Sequence, residues 1–194
     1  ELLTLTGHDA SVKSVDYSPN GETIITGSED RTARLWNAET GKELLRLVYD
    51  RAVTSVSYSP NGKKIVTTSN GDKVNFLMAD TGKEISTLIP MGHTTMLKSA
   101  HYNPDGKEII TVIAGNKIAK VWNADTGKEV LTLAGHNLEL ISAVYNPDGS
   151  QILTTSYDKI AKVWNSKPSK EILTLKAHDG GVQSASYSPD GAKI

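Results

Sequence analysis

Two groups of side chains in this sequence have the residue types of a nucleophilic hydrolase. Each group combines serine, histidine and aspartate, which together can activate a hydroxyl for attack on a carbonyl carbon. The groups are His8, Ser28 and Asp30, and then His136, Ser156 and Asp158 at the same spacing. A catalytic triad occurs once in a domain, beside an oxyanion hole. Because this set recurs, we predict a structural role and no catalytic residue, with a hydrolase as the less favoured alternative.

Internal repetition explains why these residues return. A phrase of the type YSPNG or YNPDG recurs along the chain, and its occurrences are spaced by about 40–45 residues, the length of one propeller blade. The five tyrosines that open this phrase are Tyr17, Tyr58, Tyr102, Tyr145 and Tyr187. A second phrase, TGKEL or a close variant, follows at the same period. The chain is therefore predicted to consist of repeated structural units.

The residues within one repeat predict four short strands. In the segment VKSVDYS, apolar Val15 and Tyr17 alternate with polar neighbours, which is the period of a strand with one covered face. A turn follows at SPNG, where Pro19 presets φ and Gly21 accepts a positive φ. Such turns interrupt every unit before a helix of three turns could form. Each unit should be a four-stranded antiparallel meander that buries its apolar face only by stacking on a neighbour.

These residues resemble the WD-repeat (WD40) β-propeller family. The resemblance rests on a Gly-His pair, an aspartate and a tryptophan in the third strand of a repeat. They are Gly7, His8, Asp30 and Trp36 in the first repeat and Gly135, His136, Asp158 and Trp164 in the fourth. The resemblance covers essentially the whole chain, and the SPDG and TGKEL motifs are most similar to those of bacterial-type members. It implies an all-β propeller of four-stranded antiparallel blades, with four blades and an incomplete fifth in this chain.

One WD40 domain is expected over residues 1–194. Its repeats are predicted at about 1–42, 43–83, 84–128 and 129–170, with an incomplete fifth at 171–194. The first residues, ELLTL, read as the last strand of a preceding blade, and the chain ends within a second strand. We therefore expect a fragment of a larger propeller. The alternative is a partial propeller that assembles with other copies into a closed ring or a filament.

The resemblance implies a hydrogen-bonded tetrad of histidine, hydroxyl residue, aspartate and tryptophan inside a blade. Repeat three has asparagine in place of aspartate, and repeat two has Gly71 and Leu77 at the aspartate and tryptophan positions. Repeat two is therefore expected to hold together by packing alone. The positions carried over are His8, Ser28, Asp30 and Trp36; His93, Asn116 and Trp122; and His136, Ser156, Asp158 and Trp164.

The resemblance also implies partner binding at the face that carries the loops after the second and fourth strands. Met96, Ile141 and Tyr157 are expected to form an apolar contact patch there, and the alternative is that they pack between blades. The residues mapped to this face are Lys13, Glu29, Met96, Lys98, Glu139, Ile141 and Tyr157.

Composition narrows the possible partners. Lys and Arg number 21 against 22 Asp and Glu, so the net charge of −1 gives no general attraction to nucleic acid or to an anionic membrane. No apolar run approaches the roughly 20 residues that span a bilayer. The chain has no cysteine, and four of its five histidines, all except His101, occupy equivalent places on different repeats, so we expect no metal and no cofactor. The absence of cysteine also fits a cytoplasmic location.

Taken with the resemblance, these observations predict a non-catalytic protein–protein interaction scaffold. It would be the sensing or recruiting part of a larger protein, with protein partners and with self-association through open blade edges as a further possibility.

Overall fold

The computed structural model describes residues 3–89, 96–168, 170–176 and 178–194. Within these ranges the chain has sixteen strands, which form four separate four-stranded sheets. We call each sheet a blade. Blades one and two contain β1 (Val12–Tyr17), β2 (Thr23–Ser28), β3 (Thr32–Asn37), β4 (Glu43–Val48), β5 (Val53–Tyr58), β6 (Lys64–Ser69), β7 (Val74–Met78) and β8 (Glu84–Leu88). Blades three and four contain β9 (Leu97–Tyr102), β10 (Glu108–Ile113), β11 (Ile118–Asn123), β12 (Glu129–Ala134), β13 (Leu140–Tyr145), β14 (Gln151–Ser156), β15 (Ala161–Asn165) and β16 (Lys170–Leu175).

Strand order confirms the predicted all-β fold of antiparallel blades. In each sheet the strands lie in chain order, so every blade is a meander of consecutive antiparallel strands. The chain divides into two compact units, Glu1–His101 and Tyr102–Ile194, and the boundary falls in β9. No helix among the described residues is long and apolar enough to cross a membrane.

The turns form where the sequence predicts them. Between β1 and β2, the Gly21 amide donates to the Ser18 carbonyl at 2.8 Å, and Gly21 has a φ of 73°. The Ser18 hydroxyl donates to the Asn20 side-chain oxygen at 2.7 Å, which secures the same turn. A left-handed φ is accessible to glycine without a steric cost, so this position requires it.

Blades one and two share a core within the first unit. Val53 and Val56 on β5 are buried in one cluster with Ile25, Ala33 and Leu35 on β2 and β3. The blades approach so closely that a Cβ atom added to Gly27 would lie 2.7 Å from Val53 Cγ1. The second unit repeats the arrangement, since Leu140 and Ala143 on β13 join the cluster of β10 and β11, and Val182 joins that of β14 and β15.

The corresponding face of β1 is uncovered. Val12, Val15 and Tyr17 are 50%, 61% and 59% exposed. Their counterparts on β5 are the buried residues Val53, Val56 and Tyr58. The first strand of blade one therefore presents to solvent the surface that blade two uses for packing.

Candidate functional site

Blade one contains a chain of hydrogen bonds that ties its second and third strands, and the turn between them, to the loop before the blade. His8 Nδ1 lies 2.7 Å from Asp30 Oδ2, and His8 Nε2 lies 2.7 Å from Thr26 Oγ1. The indole nitrogen of Trp36 donates to the same threonine oxygen at 2.8 Å. We call this arrangement of His8, Thr26, Asp30 and Trp36 the clasp of blade one.

The donor groups of the clasp determine where its protons lie. An indole N–H can only donate, so Thr26 Oγ1 accepts from Trp36. The Thr26 hydroxyl then has its hydrogen for His8 Nε2 at 2.7 Å, the shorter of its two contacts with an acceptor, the other being the Arg34 carbonyl at 3.4 Å. The other ring nitrogen of His8 then donates to the Asp30 carboxylate. Both ring nitrogens of His8 and the indole N–H are satisfied in this way, as buried polar groups must be to avoid a desolvation cost.

Blade four contains the same clasp. His136 lies 2.9 Å from Asp158 Oδ2 and 2.8 Å from Thr154 Oγ1, and Trp164 Nε1 donates to Thr154 Oγ1 at 2.9 Å. Burial, the larger effect, lowers the pKa of His136, although the hydrogen bond to Asp158 opposes that shift.

The serines assigned to the tetrad from the sequence have a different role. Ser28 Oγ accepts the Asp30 amide hydrogen at 3.1 Å and donates to the Ala10 carbonyl at 3.2 Å, and Ser156 occupies the equivalent place in blade four. Ser28 lies at the end of β2, where its hydroxyl serves the turn into β3. The hydroxyl that contacts histidine comes from Thr26, two residues earlier on the same face of the strand. The prediction of Ser28 and Ser156 for this contact is therefore corrected to Thr26 and Thr154.

Asp30 is held as a carboxylate. Burial alone would raise its pKa, but hydrogen bonds from Thr32, His8 and two backbone amides hold the pKa of Asp30 well below its usual range. The Thr32 amide and hydroxyl donate to Oδ1 at 2.9 and 2.7 Å, and the Asp9 amide donates to Oδ2 at 3.2 Å. The buried Arg34 guanidinium bridges Asp30 and Glu43 at 3.4 and 3.0 Å. Hydrogen bonds to the charged form explain the direction of this shift.

Blade three keeps part of the clasp. Trp122 Nε1 donates to Thr111 Oγ1 at 2.9 Å, and Asn116 Oδ1 accepts the Ile118 amide at 3.2 Å, much as Asp30 accepts the Thr32 amide. His93 lies outside the described residues.

Blade two has a shortened clasp that the sequence analysis missed. Tyr49 stands where blade one has His8, and its hydroxyl lies 2.9 Å from Thr67 Oγ1. Burial raises the pKa of Tyr49 to about 12, so this phenol is neutral at physiological pH. The expectation that blade two is held together by packing alone is therefore wrong, because this hydrogen bond also contributes. The sequence feature that could have revealed this contact is the spacing between Tyr49 and Thr67, which equals the spacing between His8 and Thr26.

These contacts do not assemble a nucleophile. The Ser28 hydroxyl is buried and bonded to the Ala10 carbonyl, while the base nitrogen of His8 already accepts from Thr26. The hydroxyl within hydrogen-bond reach of that nitrogen is Thr26 Oγ1, which is buried and also accepts from the Trp36 indole, so it is not accessible to a substrate. Within the described residues, no three histidine, aspartate or glutamate side chains are grouped as metal ligands.

The residues predicted for the partner face are distributed over both units. In the first unit, Lys13 Nζ lies 2.7 Å from Glu29 Oε1, and both side chains are about half exposed. Met96 is exposed and Lys98 is half-buried in the same unit. Since Ile141 and Tyr157 belong to the second unit, a single patch that includes Met96 stays a prediction.

In the second unit, the end of blade four brings several of these residues together. Glu139 and Ile141 are half-buried, and the Tyr157 amide donates to the Glu139 carbonyl at 3.1 Å. Tyr157 is 46% exposed. Leu138, a residue that the sequence had not indicated, is 50% exposed. We call Leu138, Ile141 and Tyr157 the blade-four patch.

A family comparison identifies the class of protein to which these blades belong. The model described as "WD domain, G-beta repeat" (WD40) matches residues 1–37, 42–75, 127–165 and 169–194, which is more than half of the chain. The chain therefore belongs to the WD40 family. Most of blade three lies outside the matched segments, although the structure builds the same four-stranded sheet there.

Curated relatives match the chain over about one repeat each. Eukaryotic translation initiation factor 3 subunit I from Aspergillus niger is 49% identical over 41 residues, 21% of this chain and 12% of the relative. Protein tipD from Dictyostelium discoideum is 51% identical over 39 residues, 20% of this chain and 6% of the relative. The Ribosome biogenesis protein BOP1 homolog of Drosophila grimshawi is 43% identical over 42 residues, 22% of this chain and 5% of the relative.

Two consequences follow from these matches. The chain spans 12% or less of the length of these curated relatives. All three relatives are eukaryotic, so they give no support to the bacterial-type resemblance.

The bridging hydroxyl should contribute more to stability in blade one than in blade two. Thr26→Val keeps the shape of the side chain but leaves both His8 Nε2 and Trp36 Nε1 without a partner, so we expect a loss of about 1–3 kcal/mol. Thr67→Val removes the partner of the Tyr49 hydroxyl alone and should cost less. Urea unfolding followed by tryptophan fluorescence measures both variants, and an equal or larger loss for Thr67→Val would contradict this prediction.

Stability should fall in two stages as the pH is lowered. Because the pKa of His136 is lowered in the folded chain, the unfolded chain takes up the proton first, and stability declines below about pH 6.5. The pKa values of Asp30 and Asp158 are also lowered, so their contribution is present above about pH 4 and is lost below it. Urea midpoints measured from pH 8 to pH 3 test both stages. The double variant Asp30→Asn and Asp158→Asn should show a flatter decline below about pH 4, and an unchanged slope would disprove this assignment.

Proposed function

We propose that this chain is a non-catalytic scaffold that binds a protein partner through the blade-four patch, as the recruiting part of a larger protein. The observation that carries the proposal is the exposure of Tyr157 and Leu138 at the ends of adjacent loops. Large apolar and aromatic side chains that are exposed next to one another are typical of protein contact sites.

The backbone beneath this patch is held in place by hydrogen bonds. The Ser156 hydroxyl lies 3.1 Å from the Leu138 carbonyl and 2.9 Å from the Glu139 carbonyl, which joins the loop before β13 to the end of β14. A Cβ atom added to Gly181 would lie 3.0 Å from Tyr157 Cδ1, so the tyrosine ring also packs against the following segment. A preformed surface loses less conformational entropy on binding than a mobile loop.

The equivalent end of blade one has a different character. There the positions after β2 and in β1 hold the ion pair of Lys13 and Glu29, which is exposed and compensated. Exposed ion pairs of this kind contribute little net energy to association. This contrast favours blade four as the place of the main contact.

The names of the relatives suggest the kind of partner. They refer to a subunit of a translation initiation factor and to a ribosome biogenesis protein. We propose that the partners of this chain are likewise proteins, in keeping with a net charge of −1 that gives no general attraction to RNA.

The blade-four patch makes a prediction for partner capture. In the tagged full chain, Leu138→Ser together with Tyr157→Ser should reduce the recovery of specific partner proteins by at least about tenfold, since apolar anchors dominate interface energy. Quantitative mass spectrometry of purified complexes provides the measurement.

Val130→Ser is a matched control, because Val130 is also exposed but lies on β12 of blade three and not in the loops of blade four. It should leave recovery unchanged. Equal recovery with the wild-type chain and the double variant would overturn the proposal, provided that both have the same circular dichroism spectrum.

A second candidate function is self-association through β1. It is favoured by the exposure of Val12, Val15 and Tyr17, whose counterparts on β5 form a buried contact between blades. A second copy of the chain could cover this face through the same kind of packing.

Self-association predicts a mass that depends on concentration. Sedimentation of the wild-type chain should show oligomers of 20.9 kDa units that increase with concentration. Val15→Asp should abolish them, because a buried contact does not tolerate an unpaired charge. A single monomeric species of the wild-type chain at all concentrations would exclude this candidate.

A further inference from the structure

A glutamate at the start of the fourth strand is paired with a cation in three of the four blades. The cation comes from the third strand, nine residues earlier. The pairs are Arg34 with Glu43 at 3.0 Å, Lys120 with Glu129 at 2.7 Å, and Lys162 with Glu171 at 2.6 Å. In blades three and four the lysine nitrogen also lies over the tryptophan ring of the clasp, 5.4 and 5.8 Å from its centroid. This pair is therefore a regular part of the blade.

Blade two keeps the glutamate but lacks the cation. The third-strand position is Asn75, and the fourth-strand glutamate is Glu84. Glu84 Oε1 accepts the Thr87 hydroxyl at 2.8 Å, and no ion pair joins Glu84 to any residue that the structure describes. The side-chain oxygen of Asn75 lies 3.4 Å from the same hydroxyl. Since one hydroxyl hydrogen cannot satisfy both oxygens, this corner of blade two is rich in acceptors.

An open cavity beside Glu84 is lined by residues at the same substituted positions. Blade two has Leu77 in place of tryptophan, Gly71 in place of aspartate and Asn75 in place of the basic residue. The cavity has a volume of about 580 Å³ and lies within the first unit, between the end of β4 and the clasp end of blade two. Cavities of about 500 and 600 Å³ also lie beside the turn between β1 and β2, so the lining of this cavity, and not its size, distinguishes it.

The walls of the cavity suit an aliphatic stem that ends in a charge. Leu77 is buried and Leu47 is half-buried, and together with the ring of Tyr49 they provide an apolar lining. The Tyr49 hydroxyl is directed to Thr67 and is already bonded. Lysine and arginine side chains bury such stems along apolar surface while their charged ends reach a polar partner.

The charges around the cavity leave an acidic excess. Three acidic residues, Asp50, Asp72 and Glu84, face three basic residues, Arg46, Arg51 and Lys73. Arg46 is committed to Glu43, which its guanidinium contacts at 2.9 and 3.2 Å. Arg51 passes Gly71, with Cδ 3.7 Å from the position of an added Cβ. With Arg46 paired to Glu43, the two cations Arg51 and Lys73 face three carboxylates, which leaves an excess of one negative charge.

We propose that this cavity binds a lysine or arginine side chain of a partner polypeptide. The ammonium or guanidinium group would lie between Glu84 and Asn75 and supply the cation that the other blades supply from their own third strand. A charge-assisted hydrogen bond to a carboxylate in a partly enclosed site is stronger than one between neutral groups. The site lies apart from the blade-four patch in sequence and in chemistry, and it does not depend on the function proposed for that patch.

The test uses the whole chain, labelled with nitrogen-15, and two short capped peptides. One is acetyl-Gly-Arg-Gly-amide, and the other carries citrulline, the neutral counterpart of arginine. In an NMR titration the arginine peptide should cause saturable shifts of the amides of Asn75, Glu84 and Thr87, while the citrulline peptide should bind at least about tenfold more weakly. Equal shifts with the two peptides, or no saturable shift with the arginine peptide, would overturn the proposal.

Three variants assign the binding to this cavity. Glu84→Gln removes the charge at an exposed position and should weaken binding by about tenfold or more, as expected for a lost hydrogen bond between charged groups. Asn75→Lys restores the pair seen in blade three and should block the site from within. Glu129→Gln is the matched control, because Glu129 already has Lys120 as its partner, and it should leave the affinity unchanged. An unchanged affinity in Glu84→Gln would refute the site.

Discussion

A threonine hydroxyl between a histidine and a tryptophan is the contact on which the regular blades depend. In blades one and four, this one oxygen accepts from the indole and donates to the imidazole, and the imidazole in turn donates to a carboxylate. Each of these groups is costly to bury alone, and together they satisfy one another. The chain can therefore place polar side chains inside a small sheet, where they hold the loop before the blade against its second and third strands.

The irregular blades show what happens when members of this set are exchanged. Blade three retains the tryptophan and the threonine and uses the Asn116 side chain to organise its turn. Blade two replaces histidine with the longer tyrosine, which reaches Thr67 without an aspartate or a tryptophan. The sheet is retained, but Leu77 fills less volume at the clasp end of blade two than the tryptophan of the other blades. A cavity and a glutamate without its usual cation are found there, so these exchanges together preserve the fold and alter the surface.

Several features could be predicted from the sequence because they depend on neighbours along the chain. The turn at Ser18–Gly21 and the existence of strand β1 follow from local residue types. The apolar face of β1, which its alternation predicted to be covered, is exposed. The choice between Thr26 and Ser28 could not be made in the same way. Both hydroxyls lie on one face of β2, and only the position of the His8 loop above the sheet decides which one the ring contacts. Tyr49 was missed because its side chain differs chemically from the histidine of the other blades, although its spacing to Thr67 equals that of His8 to Thr26.

The sequence by itself determined the repeat, the strand order and the family, since these are written in residue types that recur at a constant period. Tertiary structure alone decided which hydroxyl closes the clasp, which apolar side chains stay exposed and where the missing indole leaves space. Leu138 and Tyr157 are no more apolar than many buried residues, and their exposure depends on which loops surround them. Periodicity therefore specifies a blade, whereas contacts between segments far apart in the chain specify its surface.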